Sequence, residues 1–278
     1  MTSLARTASA KINLTLHVTG QRADGYHLLD SLVVFTEFGD GLVLDPEAPL
    51  SLVVTGQGAA ALVDEADNLV LRAARLFGAA HGGLTLDKRL PVASGMGGGS
   101  SDAAATLHLL AEASGRALPG TEALMQLGAD LPVCVAAPRP SRMQGLGEHV
   151  SPVDGVPSLW LLLVNPGVGL STPAVFRALA RKDNPPMPRD LPRWRDAVDL
   201  AGWLAGMRND LQEPACALVP PVAGVLDAIS AQPGCLLARM TGSGATCFGI
   251  FADQTALHAA QAALRPLAPF VEATRSLS

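Results

Sequence analysis

The chain has 278 residues, of which 49% are hydrophobic and 16% charged, and its formal net charge is −5. A chain of this length forms one large domain or two modest ones and builds its core without metal or disulfide staples. Its apolar content, with 28 glycines and 21 prolines, excludes a disordered chain and a coiled coil, and its acidity argues against nucleic acid or an anionic membrane as a partner.

Hydrophobic alternation and β-rich runs predict the strands of the chain. In the first half these are residues 12–18, 31–38, 50–55 and 84–86. We expect Gly39-Asp40-Gly41 to end the second of them in a turn, so that residues 42–44 begin a hairpin partner. In the second half the predicted strands are residues 160–164, 236–241, 246–251 and 271–274.

Helical spacing, caps and breakers predict the helices. In chain order they are residues 69–80, 103–113, 173–181, 197–205, 215–229 and 254–264. Asn68 is expected to cap the first helix and Gly82-Gly83 to stop it, while the proline-rich stretch 183–195 is expected to run over the surface. This mixture predicts an α+β protein in two lobes, residues 1–155 and 156–278.

The cysteines, Cys134, Cys216, Cys235 and Cys247, are too far apart for a C-x-x-C pair or a metal site. We expect them to be unpaired and mostly buried, as small hydrophobic residues. Apolar runs such as 159–164 are far shorter than the ~20 residues that span a bilayer. Residues 2–7 also lack the apolar core of a signal peptide, so a soluble, cytoplasmic protein is expected.

A glycine-rich segment, Pro91–Ala105, is the strongest local signal in the sequence. Four glycines in five positions let backbone amides converge, and we expect Ser100, Ser101 or Asp102 to cap the helix that follows. Converging amides and the positive end of a helix form an anion site suited to phosphates. The segment lacks the Lys-Ser/Thr of a Walker loop and the third glycine of a dinucleotide fingerprint. The alternative interpretation is a flexible turn before a helix.

Two further clusters are less specific. Thr241–Thr246 lies between two predicted strands and is either a tight turn or, paired with the first loop, a second backbone wall for a triphosphate. Lys11 and Asn13 share one face of the first strand, although a solvated edge lysine is the alternative. Arg22–His27 combines an Asp-Gly turn with the only tyrosine of the chain, which either packs in the core or forms a base-stacking platform.

Read together, these stretches resemble the GHMP small-molecule kinases over nearly the whole chain. The resemblance rests on Ala10–Leu14, Arg22–His27 with Leu29 and Ser31, Pro91–Ala104, Gly128–Val133, Ser171–Pro173 with Phe176, Asn209–Leu211 and Gly242–Thr246. It implies a GHMP kinase fold with two α+β lobes, the first like the second domain of ribosomal protein S5 and the second ferredoxin-like. The Asp-Gly-Tyr-His element is similar to that of members that phosphorylate diphosphocytidyl-methylerythritol.

The resemblance also implies roles for individual residues. Asp130 is expected to be the catalytic base and Lys11 its partner. Asn13 is expected to contact the polyol, Tyr26 and Phe176 to sandwich the cytosine, His27 to bond the edge of the base, and Thr172 to lie at the nucleotide end of this pocket. ATP is expected to bind Pro91, Val92, Ala93, Ser94, Gly95, Met96, Gly97, Gly98, Gly99, Ser100, Ser101, Gly242, Ser243 and Gly244.

Some points remain open in the sequence. Mg²⁺ is expected to accompany ATP, with Ser101 and Asp102 as nearby candidate ligands but no acidic pair that announces a site. Met96 stands where the family commonly has leucine, and Ala93-Ser94 predicts a stiffer entrance to the loop. Alternatives are a mevalonate- or homoserine-type kinase and a non-catalytic ligand-binding module on the same fold. A monomer and a homodimer are both compatible with the sequence.

Overall fold

Seven strands form one sheet in the computed structural model, which describes residues 3–62 and 68–277. In chain order they are β1 (Leu4–Asn13), β2 (His17–Gln21), β3 (His27–Pro49), β4 (Ser51–Thr55), β5 (His81–Asp87), β6 (Ser141–Gly145) and β7 (His149–Pro152). The sheet runs β4-β5-β3-β6-β7, and β1 and β2 also pair with β3. Only the pairing of β4 with β5 is parallel among these described strands.

The turn predicted at Gly39-Asp40-Gly41 is wrong, because β3 passes through these residues as a 23-residue strand. β1 pairs with β3 on both sides of a register shift, with Ser9 opposite Gly39 and Lys11 opposite Phe35. A Cβ atom on Gly39 would lie 2.2 Å from the carbonyl oxygen of Ala8. The glycine therefore permits the close approach of two strands and does not mark a reversal of the chain.

The strand predicted over residues 12–18 is interrupted. β1 ends at Asn13 and β2 begins at His17, and Leu14 and Thr15 between them both donate to the carbonyl oxygen of Leu32. The predicted strand therefore exists as the end of β1 and the start of β2, with a short break between them. This break lies at the rim of the candidate site described below.

The helices of the first half are α1 (Leu69–Phe77), α2 (Gly98–Ser114), α3 (Thr121–Leu127) and α4 (Leu131–Val135), preceded by a 3₁₀ turn over Ala59–Leu62. Among them, α2 packs against β1 and β3 of this sheet, and the others pack mainly on one another and on α2. Asn68 caps α1 as predicted, its Oδ1 accepting from the amide of Val70 at 2.9 Å. The helix stops at Gly78 rather than at Gly82-Gly83, because Gly78 takes a left-handed conformation with φ 75° and its amide bonds back to the last turn.

The second half forms a four-stranded antiparallel sheet with helices around it. Its elements are β8 (Trp160–Asn165), α5 (Thr172–Arg177), α6 (Ala197–Ala205), α7 (Gln212–Leu218), α8 (Pro221–Ser230), β9 (Cys235–Met240), β10 (Cys247–Phe251), α9 (Gln254–Leu264) and β11 (Phe270–Arg275). The sheet order is β11-β8-β10-β9. The predicted bounds of α6 and α9 are confirmed, whereas the single helix predicted over 215–229 is divided at Pro220, which has no amide hydrogen to donate.

The two sheets share a core, which joins Ile12 and Val34 of the first to Phe248 and Ile250 of the second. The α+β class is confirmed, and the exact division at residue 155 stays a prediction. Residues 183–195 do not lie wholly on the surface as expected, because Met187 and Trp194 are buried in this shared core. These apolar side chains, together with hydrogen bonds from Arg142 to the carbonyls of Pro188 and Arg189, attach the proline-rich stretch to the fold.

The cysteines agree with the expectation that they are unpaired and mostly buried. All four cysteines are free, with Cys134 and Cys247 buried and Cys216 and Cys235 half-buried. Burial raises the pKa of each thiol, that of Cys134 to about 12.

Across residues 3–62 and 68–277, every helix falls short of the length and apolar character needed to cross a membrane.

Candidate active site

A cleft of about 720 Å³ lies between the two halves of the chain. The three sequence clusters singled out above converge on it. The predicted site residues that line it are Lys11, Asn13, Tyr26, His27, Ala93, Ser94, Gly95, Gly97, Gly98, Gly99, Ser100, Asp130, Thr172, Phe176, Gly242 and Ser243. Those outside its lining are Pro91, Val92, Met96, Ser101 and Gly244, of which the first two line a smaller cavity of about 170 Å³ beside it.

Lys11 and Asp130 meet on the floor of the cleft. The ammonium Nζ of Lys11 lies 2.6 Å from Oδ1 of Asp130, and the lysine side chain is 4% exposed against 37% for the aspartate. Lys11 belongs to β1, and its backbone amide donates to the carbonyl oxygen of Met96 at 2.9 Å. Asp130 lies in the short link between α3 and α4, so its carboxylate faces the cleft while the pairing cation stays buried.

The glycine-rich segment begins α2 earlier than predicted. α2 starts at Gly98, and Gly97 with φ 64° is its N-cap, so the expectation that Ser100, Ser101 or Asp102 caps the helix is wrong. These three residues lie within the first two turns, and the amide of Ser101 donates to the carbonyl oxygen of Gly97 at 2.8 Å. Because no side chain occupies the N-cap, the free amides of the 17-residue helix remain available at the cleft.

The two glycine clusters form one unit. The amide of Thr246 donates to the carbonyl oxygen of Ser94 at 3.1 Å, and a Cβ on Gly95 would lie 2.5 Å from the carbonyl oxygen of Thr241. Gly95 also has φ 80°, a conformation that side chains disfavour. Ala93, with φ 52°, is the only non-glycine residue with positive φ in the described part of the chain, a conformation that costs energy for a residue with a Cβ atom. The stiffer loop entrance expected at Ala93-Ser94 stays a prediction.

A buried ion cluster below the loop was missed in the sequence. Nζ of Lys88 lies 2.5 Å from Oδ2 of Asp40 and 2.8 Å from Oδ2 of Asp102, and all three side chains are at most 4% exposed. Oδ1 of Asp40 accepts from the amides of Arg89 and Leu90, which lead into the loop. Burial raises the pKa of Asp102 to about 7, with the charge of Asp40 adding to the effect and that of Lys88 opposing it. The signal in the sequence was the charge at residue 40 within a β-rich run, which we attributed to the expected turn.

Residues 3–62 and 68–277 hold no cluster of three His, Cys, Asp or Glu side chains that could bind a metal ion. Ser101 is directed at the sulfur of Cys134 at 3.6 Å, and Asp102 is occupied by Lys88. Both are buried and outside the lining of the main cleft. The two candidate ligands named from the sequence therefore do not fit a metal ion in the cleft.

Aromatic side chains lie at the other end of the cleft. The rings of His27 and Phe176 are stacked, whereas Tyr26 is 66% exposed. Nε2 of His27 and Oδ1 of Asn13 are buried and lack a hydrogen-bond partner within the residues described. Burial, with the nearby charge of Lys182, lowers the pKa of His27, so its ring is neutral at pH 7. The proposed sandwich of cytosine between Tyr26 and Phe176 stays a prediction.

A hydroxyl pair connects this aromatic end to the second glycine cluster. Oγ1 of Thr172 and Oγ of Ser243 are 2.7 Å apart. Thr172 is the first residue of α5, and Phe176 lies one turn later on the same helix. Ser243 therefore contacts the helix that carries the stacking ring, a relationship that the sequence did not indicate.

The family description "GHMP kinases N terminal domain" matches residues 68–141, and "GHMP kinases C terminal" matches residues 176–267. A 4-diphosphocytidyl-2-C-methyl-D-erythritol kinase of Cereibacter sphaeroides is 59% identical over 263 residues, which cover 94% of both chains. The protein of the same name from Paramagnetospirillum magneticum is 50% identical over 272 residues, which cover 95% of this chain and 94% of its own.

Solved structures give the same picture. A crystal structure of 4-(cytidine 5'-diphospho)-2C-methyl-D-erythritol kinase superimposes with a TM-score of 0.80 at 29% identity, covering 99% of this chain and 100% of the other. The mevalonate kinase of L. major in complex with R-mevalonate superimposes with a TM-score of 0.64 at 15% identity, covering 99% and 96%. The second likeness is one of fold alone.

Proposed function

The chain belongs to the GHMP kinase family, and from this premise we propose that it transfers the γ-phosphoryl group of ATP to the 2-hydroxyl of 4-diphosphocytidyl-2-C-methyl-D-erythritol. The observation that carries the proposal is the Lys11–Asp130 pair, which lies on the floor of a cleft with a phosphate-type loop along one wall and aromatic rings at one end. The product serves isoprenoid precursor synthesis in the non-mevalonate route.

Phosphoryl transfer requires the attacking oxygen, the γ-phosphorus and the leaving oxygen to lie in line, with positive potential around the group that moves. The amides at the start of α2, which Gly97 leaves uncapped, supply that potential to the phosphates of ATP. The second glycine cluster, which packs on Gly95, forms a second backbone wall beside it. The nucleotide is thus held by backbone groups whose positions the fold fixes.

Asp130 accepts the proton of the substrate hydroxyl while the bond from that oxygen to the γ-phosphorus forms and the bond to the β,γ-bridging oxygen breaks. The products are the phosphate ester and ADP. A carboxylate is a weak base for an alcohol, so the proton moves late and orientation carries the larger share of the effect. Lys11, 2.6 Å from Asp130, holds the carboxylate in place and attracts the phosphoryl oxygens.

The cytidine end of the cleft selects the substrate. Phe176 and Tyr26 stack on the base, the neutral ring of His27 offers its unpartnered Nε2 to the edge of the base, and Oδ1 of Asn13 accepts from the polyol. Mg²⁺ would accompany ATP and supply positive charge at its phosphates. With a net charge of −5, the enzyme acts in the cytoplasm on these small molecules without a nucleic-acid or membrane partner.

The test measures ADP release from Mg-ATP by the purified protein with three alcohols: the cytidine substrate, mevalonate and homoserine. Turnover with the cytidine substrate alone is expected, because the other two carry no base for the aromatic end of the cleft. Turnover with either of the other alcohols at a comparable kcat/KM would make the chain a kinase of different specificity. Binding of ATP without turnover on any alcohol would contradict the proposed reaction.

A further inference from the structure

The turn between β6 and β7, residues Gly145–Glu148, packs against the segment that carries Asp130. Gly147 is buried, and a Cβ atom on it would lie 2.0 Å from the carbonyl oxygen of Ala129. The two backbones therefore touch with no side chain between them, and Gly147 has φ 128°, which further restricts the position to glycine. Ala129 directly precedes Asp130, so the turn limits how the backbone at the candidate base can move.

Glu148 closes this turn through its side chain. Its Oε2 accepts from the amide of Leu146 at 2.5 Å, and both carboxylate oxygens lie 2.6 Å from the place where a Cβ of Gly145 would be. The amide of Gly147 donates to the carbonyl oxygen of Gln144 at 3.2 Å. A carboxylate that accepts a backbone amide two residues away fixes a tight turn in one conformation. Glu148 is thus fixed inside the turn and does not line the cleft.

Asp130 has few other restraints. It occupies the N-cap position of α4 without a side-chain capping bond, and α4 has only five residues. Its carboxylate is paired with Lys11 and is 37% exposed. A displacement of about 1 Å at a reacting group can cost 100-fold in rate. The contact between Gly147 and Ala129 therefore helps to fix the direction in which the Asp130 carboxylate points into the cleft.

We propose that Glu148 is a positioning residue for the phosphoryl transfer: it locks the 145–148 turn, and the turn holds Ala129 and thereby orients Asp130. The role rests on the proposed function for its effect on rate, but the mechanical link from Glu148 to residues 128–134 does not depend on the substrate. Leu146, which lines the same cleft as Asp130, is held by the same hydrogen bond.

The experiment compares Glu148→Ala with Glu148→Gln, because the glutamine amide oxygen can accept the same bond from Leu146. The alanine variant is expected to lower kcat about 10-fold or more with the KM for ATP within twofold of wild type, and the glutamine variant to stay within about threefold. Glu37→Ala, at an exposed position of β3, is the control. In an Asp130→Asn background, Glu148→Ala is expected to cause no further loss of kcat, since its effect passes through that carboxylate.

Equal losses from Glu148→Ala in the wild-type and Asp130→Asn backgrounds would overturn the proposal, as would a glutamine variant as slow as the alanine variant. Amide hydrogen exchange of residues 128–134 supplies a readout without substrate. Leu131 and Cys134, whose amides bond to Gly128 and Asp130, are expected to exchange faster in Glu148→Ala and not in Glu148→Gln.

Unchanged amide exchange in Glu148→Ala would overturn the mechanical link, whatever the activity of the wild type. Failure of the wild type to phosphorylate the cytidine substrate would contradict only the proposed function. If Glu148→Ala does not fold, Glu148→Asp shortens the reach by one methylene group and takes its place in every comparison.

Discussion

The imidazole ring of His27 lies on the phenyl ring of Phe176, with the ring centroids 4.7 Å apart and the planes inclined by 26°. His27 is the first residue of β3 and Phe176 belongs to α5, so the stack joins the two halves of the chain at the mouth of the cleft. A planar ligand that enters here meets a ready-made aromatic surface and, beside it, a buried ring nitrogen that still lacks a partner.

Replacement of Phe176 by alanine is expected to raise the KM for the cytidine substrate about 10-fold or more and to leave the KM for ATP within twofold. The reason is that stacking of a base on an aromatic ring contributes about 1–3 kcal/mol, and ATP does not use this ring. Steady-state kinetics with each substrate varied in turn measures both constants. Phe38→Leu, away from the cleft against Phe270, is the control, and a parallel rise in both KM values would contradict the assignment.

Asp130→Asn is expected to lower kcat by about 10²–10⁴-fold, the usual contribution of a positioned general base. The amide keeps the shape of the side chain but accepts no proton, so ATP affinity should change little. Titration calorimetry with ATP and single-turnover kinetics separate the two effects. Asp154→Asn, at an aspartate with 91% of its side chain exposed, controls for the loss of a charge. A kcat within tenfold of wild type would exclude the base role.

Thr172→Val is expected to raise the KM for the cytidine substrate about 3- to 10-fold, because α5 loses the 2.7 Å hydroxyl bond to Ser243 that fixes the helix carrying Phe176. A hydrogen bond of this type contributes about 0.5–1.5 kcal/mol. Thr172→Ser keeps the hydroxyl and is the matched control. Ser243→Ala should reproduce the loss, and the double variant should be no worse than either single one. Additive losses would show that each hydroxyl acts on something else.

Gly95→Ala is expected to weaken ATP binding at least tenfold and to destabilise the protein. A Cβ there would lie 2.5–2.9 Å from three backbone atoms of the second glycine cluster, and the residue has φ 80°. Overpacking of this kind typically costs 1–3 kcal/mol. Gly120→Ala, where the added Cβ would contact nothing within 4 Å, is the control. Calorimetric titration and thermal unfolding test the prediction, and wild-type affinity in Gly95→Ala would refute the contact between the clusters.

Asp102→Asn is expected to gain stability relative to wild type as the pH rises from 5 to 8. The pKa of Asp102 is raised by burial to about 7 in the folded chain against about 3.9 when unfolded. Between these values the folded state keeps a proton that the unfolded state has lost, so wild-type stability falls as pH rises through this window, by at most about 1.4 kcal/mol per pH unit.

The asparagine side chain has no proton to lose, so this slope disappears in the variant. Urea unfolding of both proteins at four pH values measures the difference in unfolding free energy, in which other titrating groups cancel. Asp154→Asn again serves as the exposed control. Parallel curves for Asp102→Asn and wild type would contradict the raised pKa.

Local patterns in the sequence predicted elements whose ends are set locally. Asn68 caps α1, and the bounds of α6 and α9 agree with their caps and periodicity, because Asp196 and Asp253 bond the first turns of those two helices. The Lys11–Asp130 contact, by contrast, came only through the family resemblance. The two residues are 119 positions apart, and nothing in either local segment indicates the other.

The sequence-based predictions were wrong where contacts with distant parts of the chain determine the local structure. Gly39-Asp40-Gly41 has the composition of a turn, yet β1 lies so close to residue 39 that only glycine fits there, and Lys88 neutralises the buried Asp40. Both causes are tertiary contacts. The same holds for the start of α2 at Gly98, since its N-cap Gly97 has φ 64° and a Cβ atom there would lie 3.2–3.5 Å from side-chain atoms of Lys11.

The length of β3 restricts how this protein can change. His27 at the aromatic end of the cleft and Asp40 below the phosphate loop both lie on this one strand, and β1, β2 and β6 pair with the segment between them. One residue inserted between them would turn every following side chain to the opposite face of the sheet. Variation in length should therefore be confined to the links outside β3, and the spacing between the two substrate subsites should behave as an invariant of the enzyme.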